Sequence, residues 1–122
     1  MTRREVKYSN ITAWAKGVKE RDGYACDICG KVSRSNDAHH LNDKSHFPKM
    51  KLLLSNGVTL CKLHHKGENK EGFHSWWGGT RKKCTAKDYY RFKYQQTHFV
   101  AKIMRLTIVV VFLALVWLKL DK

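Results

Sequence analysis

Acidic side chains are scarce in this chain: 10 Asp and Glu stand against 24 Lys and Arg in 122 residues, a formal net charge of +14. That balance argues against a cationic partner and for a polyanion, gathered by counterion release and long-range attraction. Nucleic acid is the first candidate and an anionic membrane surface the second. An apolar run near the start is also missing. Met1-Thr-Arg-Arg-Glu-Val-Lys is polar, so no secretory leader is read and a reducing cytoplasm is the expectation. Thiolates there favour metal over disulfide, although four cysteines would suffice for two bridges. No internal repeat or low-complexity run occurs. What remains is one small domain whose modest core would benefit from a metal staple.

Against those absences stand two half-sites of soft ligands, Cys26-x-x-Cys29 and Cys61-x-x-His64. Their spacing is that of a zinc knuckle, with Cys26, Cys29, Cys61 and His64 as structural zinc ligands. Gly30 permits the positive φ that a tight metal-binding turn often needs. Cys84 lies outside the pairs, either as a substitute for His64 or as a free thiol. His39, His40, Asn56 and His65 fall within or beside the closed span. So many ligands suit two tasks, one holding the chain together and one available for chemistry.

The pattern predicts a mixed α and β chain. Ser9 to Arg21 reads as a helix, with Trp14 and Val18 four apart, Ser9 or Asn10 as cap, and Asp22-Gly23 as stop. Asp37 to Leu41 is long enough for one strand, closed by Asn42-Asp43, and Val58 to Leu60 for a second, entered through Asn56-Gly57. Cys61 to His65 begins a helix that Gly67 and Gly72 limit. Thr85 to Asp88 is a weak capping box for another helix, with Tyr89 and Phe92 turned inward and Phe99 as a further candidate. Trp76-Trp77 is expected to pack a helix end against the core. His46 is read as exposed, and His74 either as a phosphate contact or as packing near the zinc module.

Leu106 to Leu118 is apolar sequence but for Thr107, extended to Ile103 and Leu120 across Arg105 and Lys119. As a helix the inner stretch reaches about 20 Å, short of a hydrocarbon core of about 30 Å. Three readings stand side by side: a membrane tail through 103–120 with its cations snorkelling, an oligomer-forming segment, and an element buried in the domain.

Residues 14 to 92 resemble an HNH endonuclease of the small zinc-knuckle type, similar to phage-encoded homing endonucleases. The resemblance rests on W-A-K-G-V-K-E-R-D-G-Y-A-C-D-I-C-G-K, D-A-H-H-L, N-G-V-T-L-C-K-L-H-H, F-H-S-W-W-G and T-A-K-D-Y-Y-R-F, in that order. It implies an α+β fold, a zinc-stapled ββα-metal (His-Me finger) domain with flanking helices and an apolar C-terminal tail. The divisions would be 1–25 (basic N-terminal helix), 26–96 (nuclease domain) and 97–122 (apolar tail). It also implies hydrolysis of DNA phosphodiester bonds, by nicking or cleavage. His40 would be the general base, Asn56 would orient the loop and the base, and His39 and His65 would ligate one catalytic divalent cation. His39 stands where the family often has aspartate. The chain departs from the family in the longer K-G-E-N-K-E-G link after His65 and in the apolar tail.

The chemistry has its own logic. An imidazole titrating near neutrality can take a proton from the attacking water, and one divalent ion can serve as Lewis acid at the scissile phosphate. Two imidazole ligands are softer than an imidazole and a carboxylate, so Mn²⁺, Co²⁺, Ni²⁺ or Zn²⁺ could serve beside Mg²⁺. Adjacent strand residues face opposite sides, so His39 and His40 share a site only if the strand ends or bends there. Two other readings are carried forward: a non-catalytic zinc-stapled DNA-binding module, and a membrane-tethered basic adaptor. The location expected is the cytoplasm (the host's, for a phage enzyme), with the tail open to membrane association.

Overall fold

The computed structural model describes residues 4–79 and 82–121; the outermost parts of the two flanking divisions (1–3 and 122) lie outside them. The elements run α1 (Ile11–Arg21), β1 (Asp37–His40), a 3-10 turn (Leu54–Asn56), β2 (Gly57–Leu60), α2 (Lys62–Lys66), α3 (Phe73–Trp77) and α4 (Ala86–Leu120). The chain is therefore α+β, with one two-stranded antiparallel sheet among the described residues. In its register Asp37 faces Leu60, Ala38 faces Thr59, His39 faces Val58 and His40 faces Gly57.

Helix α1 starts where the Asn10 side chain accepts a hydrogen bond from the Ala13 N–H at 2.8 Å, satisfying one of the free first-turn donors. It stops at Asp22, whose carboxylate accepts both the N–H and the hydroxyl of Thr59 (3.0 and 2.9 Å). Burial alone would raise the Asp22 carboxyl, but the bonds from Arg21 and Thr59 outweigh it and hold it below the usual range. These bonds tie the end of α1 to β2. Trp14, 1 % exposed, lies under the sheet and donates its indole N–H to the Leu53 carbonyl at 2.9 Å.

A second, larger cluster gathers Leu41, Val58, Leu60, Phe73, Tyr89 and Phe92 around the cysteine-bearing knuckle. Tyr89 donates its hydroxyl to Asp27 at 2.6 Å, pinning α4 to the knuckle loop. Trp76 and Trp77 pack against this cluster, as the sequence predicts. The K-G-E-N-K-E-G link interrupts the helical run: α2 ends at Lys66 and α3 restarts at Phe73.

Helix α4 crosses the expected division at residue 97 without a break. Its capping box is complete, because Asp88 accepts both the backbone N–H and the hydroxyl of Thr85 (2.9 and 3.0 Å). Aspartate therefore suffices there. Tyr89 and Phe92 are buried, whereas Phe99 is 64 % exposed and is not a core residue. Beyond Phe99 every described residue of α4 is exposed, which removes the reading in which the apolar stretch is buried in the domain.

Candidate metal centre and active site

The knuckle turns at Gly30, with φ 77°, and closes on itself through the Cys26 N–H donating to Lys31 (2.9 Å) and the Gly30 N–H donating to Cys26 (2.8 Å). Cys61 caps the start of α2, so His64 sits one turn along. The Cys26, Cys29, Cys61 and His64 donor atoms all lie within 4.8 Å of one another, with the cysteines unbridged. Cys29 Sγ is 3.8 Å from Cys61 Sγ, and His64 Nδ1 is 3.2 Å from Cys61 Sγ and 3.8 Å from Cys26 Sγ. Zn–S bonds of about 2.3 Å place sulfurs about 3.8 Å apart at the corners of a tetrahedron. The set fits a metal ion such as zinc.

Burial penalises the Cys26 thiolate, but backbone N–H groups of Cys29, Cys61 and Ile28 outweigh that and lower its pKa, favouring the ligating form. Cys84 is not part of this set. It is buried with its thiol directed at the Leu41 carbonyl (3.6 Å), and burial pushes its pKa up to about 12.

A second cluster lies beyond β1. The donor atoms of His39, His65 and His74 also fall within 4.8 Å of one another. His65 Nε2 is 3.0 Å from His74 Nε2. Metal–nitrogen bonds of about 2.0–2.1 Å put neighbouring octahedral donors about 3 Å apart. His65 donates from Nδ1 to Asp37 at 2.9 Å, which leaves its Nε2 lone pair facing His74. His39 Nε2 is buried without a hydrogen-bond partner among the described residues. A buried ring nitrogen with no protein partner, beside two others, could serve as a metal ligand. Burial first, and then mutual repulsion, hold His39 well below the ordinary imidazole pKa and His74 at about 4. Burial lowers His65 too, by more than its contact with Asp37 restores, so all three rings favour the neutral form with a lone pair to offer.

His40 points the other way off the strand. Its ring lies 3.9 Å above the Trp14 ring, nearly parallel, and Nε2 is 2.9 Å from the Lys51 carbonyl. A carbonyl only accepts, so in the neutral ring Nε2 carries the proton and Nδ1 keeps a lone pair. Burial lowers the His40 pKa more than the Lys51 bond raises it. Both faces of the strand end open into one cleft of about 790 Å³, lined by His39, His40, His65, His74, Lys44 and Lys82 among others. The strand ends at His40, and this is how adjacent residues come to share one space.

Asn56 is 2 % exposed and fully used. Its Oδ1 accepts from the Asn42 N–H and side-chain amide (2.9 and 3.0 Å), and its Nδ2 donates to the Asn42 carbonyl at 3.0 Å. It fixes the turn just after β1, whereas the His40 ring donates to the Lys51 carbonyl and does not touch Asn56 through a hydrogen bond. Sequence reasoning left His74 undecided and did not reach Asp37 or the Lys51 carbonyl. The F-H-S-W-W segment was the available signal for His74. His46, exposed as expected, bonds Asp43 at 2.8 Å rather than joining either cluster. Arg81, one of the 24 basic residues that make up the charge excess, lies outside the described residues.

Compared with family models, curated proteins and solved structures, the chain finds no match.

Proposed function

We propose that the protein is a metal-dependent endonuclease of the HNH type, hydrolysing DNA phosphodiester bonds in the cleft between α1, β1 and α3. One observation carries the reading: three neutral imidazoles converge beside a fourth whose tautomer a backbone carbonyl fixes. His39, His65 and His74 would hold a divalent cation, and Cys26, Cys29, Cys61 and His64 a structural zinc. Such a cation, when bound, supplies Lewis-acid stabilisation to the phosphoryl oxygens and the departing 3′ oxygen.

The remaining work belongs to the chain. His40, held flat on Trp14, takes the proton of a water through Nδ1 as the water oxygen attacks phosphorus and the P–O3′ bond breaks. Asn56 keeps the end of β1 from fraying by locking Asn42. Lys44 and Lys82 in the cleft wall, with the overall +14 charge, draw the phosphate backbone in. A ligand set of imidazoles without carboxylate is soft for Mg²⁺, so Mn²⁺, Co²⁺, Ni²⁺ and Zn²⁺ are alternative activators. The cytoplasm, reducing and rich in DNA, is the setting that fits both the free thiols and this substrate.

The test is nicking of supercoiled plasmid across a panel of divalent ions, against EDTA. His40→Ala should slow nicking by about 10²–10⁴-fold, the usual worth of a general base, with zinc content and fold retained. Equal nicking by the variant refutes the assignment. Salt-sensitive DNA binding with no turnover in any ion would leave a non-catalytic zinc-stapled module instead.

A further inference from the structure

Helix α4 does two things with one rod. Its first turns belong to the domain core through Tyr89 and Phe92, and Trp76 donates to Gln95 at 2.8 Å. The last tertiary bond along it is Gln96 donating to the Lys70 carbonyl at 3.2 Å. From there to Leu120 the helix leaves the domain, with an 18-residue window of mean hydropathy 2.4, none of it buried.

Its apolar residues are not a stripe. Consecutive positions from Leu106 to Leu118 are apolar on every side, Thr107 excepted, and Thr107 returns its hydroxyl to the Ile103 carbonyl at 3.0 Å. A partner helix would need one apolar seam and would leave the other faces in water; lipid covers all of them. The cations sit where a bilayer tolerates them. Lys102 and Arg105 mark one end and Lys119 the other, long enough to reach the interfaces. Ile103 to Leu120 spans about 27 Å at 1.5 Å per residue, within a few ångströms of a hydrocarbon core of about 30 Å.

We propose that residues 103–120 of α4 span a lipid bilayer and that the same helix seats the folded domain directly on the headgroups of the cytoplasmic leaflet. The seating follows from the stalk. Between the last tertiary bond at Gln96 and the span, Thr97–Lys102 measures about 9 Å, close to the depth of one headgroup layer, roughly 5–8 Å. An unbroken helix cannot let the domain swing away. The side follows from charge: Lys87, Arg91, Lys93, Lys102 and Arg105 flank the domain end, against Lys119 and Lys122 around Asp121 at the other. Excess Lys and Arg are retained on the cytoplasmic side. Unbridged, metal-ligating cysteines at the knuckle agree with the same, reducing side. None of this depends on nuclease activity.

The experiment uses the full chain in bacterial membranes. The wild type should stay in the membrane pellet after an alkaline carbonate wash. V110R combined with L113R, both at exposed helical positions, should move it to the supernatant with its zinc retained. A wild type that is soluble, or a soluble oligomer that survives without lipid or detergent, overturns the span. An impermeant protease should remove the domain from inverted vesicles and not from spheroplasts; the reverse overturns the side. In proteoliposomes of W117F, the remaining tryptophans should transfer energy efficiently to a headgroup-labelled lipid, and absence of transfer overturns the seating.

Discussion

Asp37 shows how a single carboxylate can decide what a histidine does. It opens β1, accepts the His65 Nδ1–H at 2.9 Å and is paired with Lys62 at 2.5 Å. Burial would raise its pKa, but the bonds from Lys62 and His65 lower it on balance, so it stays an anion and an acceptor. The His65 Nε2 lone pair is thus aimed at the cluster in every molecule. Asp37→Ala removes the acceptor without filling the site. Affinity for Mn²⁺ at the three-histidine cluster should fall by about 10–100-fold, the common cost of losing such a partner. Calorimetric titration of zinc-loaded protein reads this directly, and an unchanged affinity would show that His65 is oriented by something else. Asn56→Ala tests the neighbouring turn. It strips the Asn42 N–H of its acceptor in a closed environment, so urea denaturation should show a loss of about 1–3 kcal/mol.

The elements that place the site are held by one close approach, at the start of β2. A Cβ on Gly57 would lie 2.7 Å from Trp14 Cζ2 and against Val18 as well, so only glycine lets α1 lie flat beneath the sheet. Because Trp14 is also the surface on which His40 rests, the contact couples packing to the site. Gly57→Ala should destabilise the fold by about 1–3 kcal/mol through overpacking and loosen the His40 ring. Thermal unfolding and the His40 ring resonances report the two effects separately. Helix α1, both strands and the knuckle were legible from residue pattern, because each depends on short-range spacing: four between Trp14 and Val18, and two between paired ligands. His74 was not. The loop at 67–72 breaks the helical period between His65 and His74, so their meeting depends on how that loop folds α3 back against α2, which no periodicity reports. The Lys51 carbonyl was beyond reach for another reason, since a backbone acceptor has no residue type to betray it. The tail could not be settled from its length, because 13 to 18 apolar residues suit a core helix and a short span alike.

At the scale of the whole molecule the hydrophobic core is small and irregular. Cysteines 26, 61 and 84 are three of the members of its main buried cluster, and its sheet has two strands, which is marginal alone in water. The aromatic residues Phe73, Tyr89 and Phe92 come from α3 and α4, and β2 contributes Val58 and Leu60. What joins these to the loop at 26–30 is the cluster of three cysteines and one histidine, supported by the Tyr89–Asp27 bond. If zinc fills that cluster, its binding free energy is largely folding free energy, of the order of 10–16 kcal/mol in small zinc-stapled peptides. That is comparable with the whole net stability of a small domain, usually about 5–15 kcal/mol, so losing it leaves little or nothing in reserve. Chelation in detergent should therefore abolish the near-ultraviolet dichroism of Trp14 and Tyr89 together, in one transition, while α4 keeps helical signal beyond the domain. Protein as purified should carry about one tightly held zinc per chain, and Cys26→Ser should behave as the chelated wild type does. A folded Cys26→Ser protein would mean that Tyr89, Phe92 and the sheet suffice without the staple, and the knuckle would then be an ornament of the fold rather than its fastening.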